Sequence, residues 1–474
     1  MQSNYTHKVT RKKKINFASN NSNNLTSYDY DTEGMKDFFI SCNRLCEDVL
    51  IKELQDKSMG GFGSEFAFAE ESMSKGFAGV HFRGSMKDAF KIILHSRVAS
   101  RVYWKLASFE ISLKKDHEKE VLYDIIKKID WCNLFSAKES IKINAILGRG
   151  LDQRLNSHYI AQIAKDAVVD SFREQYGQRP NVNTAFPNVP IMLFFERDNL
   201  DVLVDLCGEP LGNRHYRQTD FAAPLRENLA ASILHLMNWQ SNKEVFIDCM
   251  CGSGTMVVEA LLYALKIPPS FIKVRRALSN DRNDRLKNRW TLENLKIFKE
   301  SNELKESFKE LLKEVNHQVK DVTKNKNTDK NTEKITIFAH DINFRAISTT
   351  KTHISFIERE LARRLIGEVV FIKSADATTL KKPVQQLAER KGGIIFANPP
   401  YGVRLGNDGD DNGEELENLY HNFGENLKLN FKDFRAYIFT GNLELRKKIS
   451  LQTSSRIELF NGDIDCRLFK YELY

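Results

Sequence analysis

The sequence predicts an α/β protein in two parts: α+β units with antiparallel strands come first, then a mostly parallel sheet with helices on both faces. Three observations carry that prediction. From Val245 onward, short apolar strands alternate with helical stretches, as in VFIDC followed by TMVVEALLYAL and GGIIFANPP followed by ELENLYHNFGENL. A glycine-bearing turn, Cys251-Gly252-Ser253-Gly254, joins the first of those strands to its helix. Asn461-Gly462 separates two alternating runs near the end, a hairpin signal that makes the last strand antiparallel to its neighbour.

A chain of 474 residues is long enough for several domains. Hydrophobic residues make up 41% and charged residues 28%, and no apolar run reaches the roughly 18 residues of a membrane-spanning helix. The net charge of +8 permits a polyanionic partner without requiring one. Seven scattered cysteines without a secretory signal suggest free thiols in a reducing, cytoplasmic setting.

Residues 1–35 form a basic, asparagine-rich arm whose first 28 residues hold five basic side chains and no acid, a composition expected to stay disordered. It reads as an RNA-touching arm or a solvated tail, and less well as a transit peptide. Next come a strand in FFISC, a helix over Glu47–Leu54, a loop bearing Gly60 and Gly63, and strands near Gly79–Phe82 and Tyr103–Ser108. Ser85 to Arg101 reads as one helix with Ala89, Phe90, Ile93, Leu94 and Val98 inward, which leaves Arg97 and Arg101 together on its outer side. Such a pair can grip RNA phosphates or simply be a solvated face. Ser157–Tyr176 is a second amphipathic helix stopped by Gly177, and Pro190–Glu196 with Leu200–Leu206 make a hairpin. Residues 266–334 interrupt the alternation that follows: a stripe of Leu304, Phe308, Leu311, Leu312 and Val315 is helical, and Lys320–Lys334 reads as a flexible loop.

The chemistry-bearing residues all fall at strand ends of the second part. Asp248 closes the first strand, and Gly252, Ser253, Gly254 and Thr255 open the following helix, where a tight turn and free amides suit a nucleotide-type ligand. The turn lacks the Lys-Ser/Thr ending of a phosphate-binding loop, which disfavours triphosphate hydrolysis. Cys249 and Cys251 have no companion cluster of ligands and read as small buried residues, with no metal. Asp341 ends the next strand, where a carboxylate can hold a ribose diol or cap a helix; Asp376 ends the third and can meet an adenine amine or close a turn. Asn398-Pro399-Pro400-Tyr401 follows the fourth. There the Asn398 side-chain carbonyl and the Pro399 carbonyl can accept both hydrogens of one exocyclic amine, and Tyr401 offers a ring for a flipped base; the bland alternative is a rigid turn.

With these motifs in this order, the chain resembles the class I S-adenosylmethionine-dependent methyltransferases that act on amino groups. The stretch from Val204 to Leu234, DCMCGSGTMVVEA and NPPYGVRL look like the bacterial large-subunit rRNA guanine-N2 methyltransferase family, and HFRG (His81–Gly84), SRVASRVYW and the helix with Lys165-Asp166-Ala167 look like its THUMP domain. The resemblance implies a ferredoxin-like segment (36–80), a THUMP RNA-binding domain (81–206) and a Rossmann-like methyltransferase domain (207–474) with a seven-stranded sheet, its insertion at 266–334. It implies S-adenosyl-L-methionine as cofactor, with Asp248, Gly252, Ser253, Gly254 and Thr255 at the methionine end, Asp341 at the ribose, Asp376 at the adenine, and Asn398 to Tyr401 on the guanine. It implies N2-methylguanosine formation in 23S rRNA, free or in a pre-ribosomal large-subunit particle, with tRNA methylation or a silent ribosome-assembly role as rivals. The family's glycine in Arg-Gly-Tyr-Arg is His215 here, and the single methyltransferase unit implies one activity.

Overall fold

The structure is a computed structural model that describes residues 34–56, 68–111, 118–148, 155–218, 225–279, 290–324, 335–383, 392–402 and 412–474. The arm, the Gly60–Gly63 loop and residues 325–334 therefore lie wholly or almost wholly outside the described residues.

The first half is built on one sheet. Its strands are β1 (Lys36–Ser41), β2 (Met73–Gly76), β3 (Gly79–Gly84), β4 (Arg101–Glu110), β5 (Ser140–Leu147), β6 (Asn181–Val182), β7 (Val189–Glu196) and β8 (Asn199–Asp205), in the order β2-β3-β1-β4-β8-β7-β5-β6. The long β4 is the seam: Trp104 pairs with Phe38 of β1 on one side and with Val204 of β8 on the other. Residues 36–80 and 81–206 are thus hydrogen-bonded into one sheet, and the boundary expected at 80/81 falls inside β3, whose Val80 and His81 both pair with β1. The expectation of antiparallel strands also needs correction, because β5 runs parallel to β7 and β6. The 20-residue helix α5 (Ser157–Tyr176) lies between β5 and those two strands, which gives the long crossover that parallel pairing requires. It stops where expected, with Gly177 at φ +65°.

Helix α1 spans Glu47–Gln55, and the short helices α3 (Glu118–Lys127) and α4 (Trp131–Leu134) lie between β4 and β5. Helix α2 (Met86–His95) begins at a Ser85–Asp88 capping box but ends six residues before Arg101. The cause is Glu53, a fully buried residue of α1 whose carboxylate accepts from Ser96 Oγ and from the amides of Arg97 and Val98. Those amides are drawn out of the helix, and the chain turns into β4.

The second sheet contains β9 (Val245–Asp248), β10 (Ile337–Asp341), β11 (Val370–Ser374), β12 (Gly393–Ala397), β13 (Arg435–Thr440), β14 (Ser455–Asn461) and β15 (Ile464–Glu472), in the order β11-β10-β9-β12-β13-β15-β14. The first five are parallel, and β15 is antiparallel to both its neighbours, as expected. The helices that bear on the site are α6 (Glu227–Met237), α7 (Thr255–Ala264), α11 (Phe344–Leu361), α12 (Asn412–Asn430) and α13 (Leu443–Lys447).

The excursion between β9 and β10 is packed against the first half. It forms α8 (Phe271–Leu278), α9 (Lys296–Glu300) and α10 (Asn302–Lys324). The rings of Phe298 and Phe308 lie 5.9 and 5.1 Å from Phe90 of α2, Leu295 bridges to Phe135, and Asn294 donates to the carbonyl of Asn188. The stripe of Leu304, Phe308, Leu311, Leu312 and Val315 is buried as expected. The flexible loop expected from Lys320 is corrected at its start: α10 continues to Lys324, with Val319 buried and Val322 packed on the core.

No described helix is long and apolar enough to cross a membrane. All seven cysteines are buried and free, and the described residues hold no cluster of three metal-ligating side chains.

Candidate active site

The parallel strands end on one edge, and the expected residues gather there. Phe396 of β12 is in register with Asp248 of β9, so Asn398, two residues on, emerges beside the glycine turn. Asp341 ends the strand on the other side of β9.

The turn is held from beneath and from the side. Gly252 and Gly254 take φ +53° and +79°, left-handed values that favour glycine. A Cβ on Gly254 would lie 2.7 Å from the Thr350 side chain, so helix α11 packs directly against its backbone. Thr350 Oγ1 donates to the carbonyl of Gly252 at 3.0 Å, and the His353 ring meets the carbonyl of Ser253 at 3.0 Å. These two supports were not anticipated from the sequence; the available signal was a polar pair three residues apart on the inward face of α11. Asp248 is 1% exposed and accepts from the Met250 amide, so it acts on the turn from below. Burial, reinforced by the charge of Asp341, pushes its carboxyl well above the usual range. Ser253 and Thr255 are buried as well.

Asp341 is half-exposed, and its two oxygens accept from the amides of Gly252 and Asn343 at 2.9 and 2.8 Å. The cap of α11 is Asn343, which accepts from the Arg345 amide, so Asp341 is not the helix cap. Beside it the Ile342 side chain is 74% exposed and offers an apolar face at the strand end. Asp376 accepts from the Thr378 amide and hydroxyl through Oδ1, closing a turn at the end of β11. Acceptors, an apolar face and a glycine-lined backbone together suit the diol, purine and amino-acid parts of an adenosyl cofactor.

The segment Arg214–Arg217 gains a clear role. His215 takes φ +61°, the left-handed conformation that glycine would fill more easily. This geometry sends the flanking arginines in different directions. Arg214 is buried against Glu259 of α7 at 3.3 Å, while Arg217 donates to Thr255 Oγ1 at 2.9 Å and pairs with Glu227.

Two expectations are overturned. Arg97 is not on a helix surface: it is 2% exposed, and its Nη2 donates to the carbonyls of Leu262 and Ile267 around the end of α7. Arg101 opens β4 and is paired with Asp205. Neither arginine presents a free cation to a phosphate. Tyr401 also departs from expectation: it is 7% exposed, and its hydroxyl donates to Asn398 Oδ1 at 2.8 Å instead of the ring standing open for a base.

A strand order with β15 inserted antiparallel, a glycine turn after β9, acids at or just beyond the ends of β9, β10 and β11 and Asn-Pro-Pro-Tyr after β12 define a class I methyltransferase. The pattern described as "RMKL-like, methyltransferase domain" matches residues 214–470, more than half of the chain, and the THUMP domain pattern matches residues 117–205. The chain belongs to the RMKL-like methyltransferase family, S-adenosylmethionine-dependent enzymes, and carries a THUMP domain. It is 29% identical over 440 residues to the ribosomal RNA large subunit methyltransferase K/L of Syntrophotalea carbinolica, covering 92% of this chain and 53% of that protein. It is 28% identical over 448 residues to the same-named protein of Saccharophagus degradans, covering 92% and 51%. The chain thus spans about half the length of these curated relatives. Two solved structures share the fold: a possible methylase from Clostridium difficile 630 (TM-score 0.70, 20% identity, 93% of this chain and 99% of that one), and SMU.472, described as a putative methyltransferase complexed with SAH (TM-score 0.68, 21% identity, 93% and 98%).

Proposed function

We propose that this chain methylates the exocyclic N2 of a guanosine in 23S rRNA, giving N2-methylguanosine. The observation that carries the reading is the position of Asn398, on the strand adjacent to the glycine turn and two residues beyond the register partner of Asp248. That backbone position beside the glycine turn supports Asn398 as the residue that meets the methyl acceptor. The match to the large-subunit methyltransferases supports rRNA as the substrate.

The amine of guanine is a poor nucleophile because its lone pair is conjugated into the ring. The cofactor supplies an electrophilic sulfonium methyl. Asn398 Oδ1, which keeps one lone pair beyond the Tyr401 hydroxyl, accepts one amine hydrogen, and the Pro399 carbonyl accepts the other. Holding both hydrogens turns the nitrogen lone pair toward the methyl group, and the proton leaves to water once the new bond has made it acidic. Gly252, Gly254 and Thr255 would hold the methionine end, Asp341 the ribose, and Ile342 and Asp376 the adenine.

Asn398→Ala should lower turnover by roughly 10²-fold or more with little change in S-adenosylhomocysteine affinity. Mass spectrometry of the nucleosides made from 23S and tRNA transcripts decides the reaction. N2-methylguanosine in 23S supports the reading, whereas a methyl on a ring nitrogen, on ribose or only in tRNA overturns it.

A further inference from the structure

In the sequence, Asn461-Gly462 reads as the two central residues of a hairpin turn. The structure moves the turn on by one residue: Gly462 takes φ +66°, while Asn461 remains the last residue of β14, paired with Ile464. Asn461 therefore has no left-handed position to fill. It is 4% exposed, and a buried side-chain amide needs hydrogen bonds to offset its desolvation.

Its side-chain bond leads to the Asn398–Tyr401 loop. Asn461 Nδ2 donates to Tyr401 Oη at 3.4 Å, and Tyr401 Oη donates to Asn398 Oδ1 at 2.8 Å. A hydroxyl has one proton, so a donor arriving from Asn461 leaves that proton directed at Asn398. The direction matters because an asparagine amide can turn over and exchange its acceptor for its donor. With Nδ2 in place of Oδ1, Asn398 would point N–H at a substrate N–H and repel it.

The rest of the socket keeps Tyr401 in place. Asn442 Nδ2 donates to the Tyr401 carbonyl at 3.2 Å, and Tyr420 Oη donates to the Pro400 carbonyl at 3.3 Å. Gly441 leaves room for the ring, since a Cβ there would stand 3.3 Å from Tyr401 Cδ2. The hairpin tip reaches this edge because β15 pairs antiparallel with β13, Arg467 lying opposite Thr440.

We propose that Asn461 is a positioning residue for methyl transfer, acting through the Tyr401 hydroxyl to keep the Asn398 carbonyl turned as an acceptor. The proposal rests on the reading of Asn398 as the amine acceptor.

The test is a double-mutant cycle of Asn461→Leu and Tyr401→Phe on kcat with a 23S rRNA transcript. KM for RNA, S-adenosylhomocysteine affinity and thermal stability are measured alongside. Each single substitution should lower kcat about tenfold with both binding constants held, and the double variant should be no slower than either single. Asn461→Asp, equal in shape but an acceptor, should be at least as slow as Asn461→Leu, because it takes the tyrosine proton for itself. Multiplying effects in the double variant, or a normal kcat for Asn461→Asp, would overturn the relay. If Asn461→Leu proves unstable, Tyr401→Phe alone decides, since it removes one oxygen, and normal kcat there overturns the proposal. Asn398→Ala is the control: full turnover in it defeats the acceptor reading itself, whereas an inactive Asn398→Ala beside a fully active Tyr401→Phe defeats the relay alone.

Discussion

The carboxylate of Asp341 accepts a hydrogen bond from the amide of Gly252 at 2.9 Å, across 89 positions of sequence. The acid at the end of one strand thereby fixes the glycine turn at the end of its neighbour, and the same group keeps acceptor capacity for a diol.

Asp341→Ala should remove both functions together. Calorimetry with S-adenosylhomocysteine should show affinity lowered roughly 10- to 100-fold, the order of one or two lost charge-assisted hydrogen bonds. Asp341→Asn, which can still accept from the Gly252 amide, should lose less. Equal, wild-type affinity in both variants would separate Asp341 from the cofactor.

Arg97 yields a prediction about stability. Removing its side chain leaves the carbonyls of Leu262 and Ile267 buried and short of a donor, so Arg97→Ala should cost about 3–5 kcal/mol. The same change should leave the salt dependence of RNA binding where it was, because no phosphate contact is lost. A flattened salt slope with an unchanged melting temperature would return Arg97 to the RNA-facing surface.

A pH dependence follows from Glu209. Burial opposes its ionisation, but hydrogen bonding to His215 and the nearby Lys273 ammonium prevail and hold its carboxyl at about 2, against an ordinary 4.5. Burial also pulls the Lys273 ammonium down, so the pair is worth less than the Glu209 shift alone implies, on the order of 2 kcal/mol. A depressed carboxylate stabilises the fold above its unfolded value and loses that contribution as pH falls from about 4.5 through about 2. In thermal melts, Glu209→Gln should therefore be less stable than wild type at pH 7, and the gap should close toward pH 2. A constant gap across that range would show that the carboxylate's charge is not what matters.

Local pattern was enough to locate much of this. The helix over Ser157–Tyr176 ends where Gly177 says it should, and the order of strand-end motifs sets Asp248, Asp341 and Asn398 on one edge. What the sequence hid is set by partners far along the chain. The helix after Ser85 stops early because of a carboxylate 43 residues before Ser96, and Arg97 is buried because its acceptors lie 165 and 170 residues ahead. Asn461 looked like a turn former because its true partner, Tyr401, is 60 residues away. The seam at β4 was equally hidden, since strand alternation shows which residues face inward but not which strand lies alongside.

Among the described residues, Arg97 anchored in the carbonyls around the end of α7 and the excursion helices wedged against Phe90 fasten the first half to the second. The molecule has the build of a caliper, the span from the far strands of the first sheet to Asn398 being set by the fold itself. On the reading proposed above, an RNA would have to bring its target guanosine to a set offset from the first sheet, so that its three-dimensional fold, more than the letters around the target, would select the guanosine.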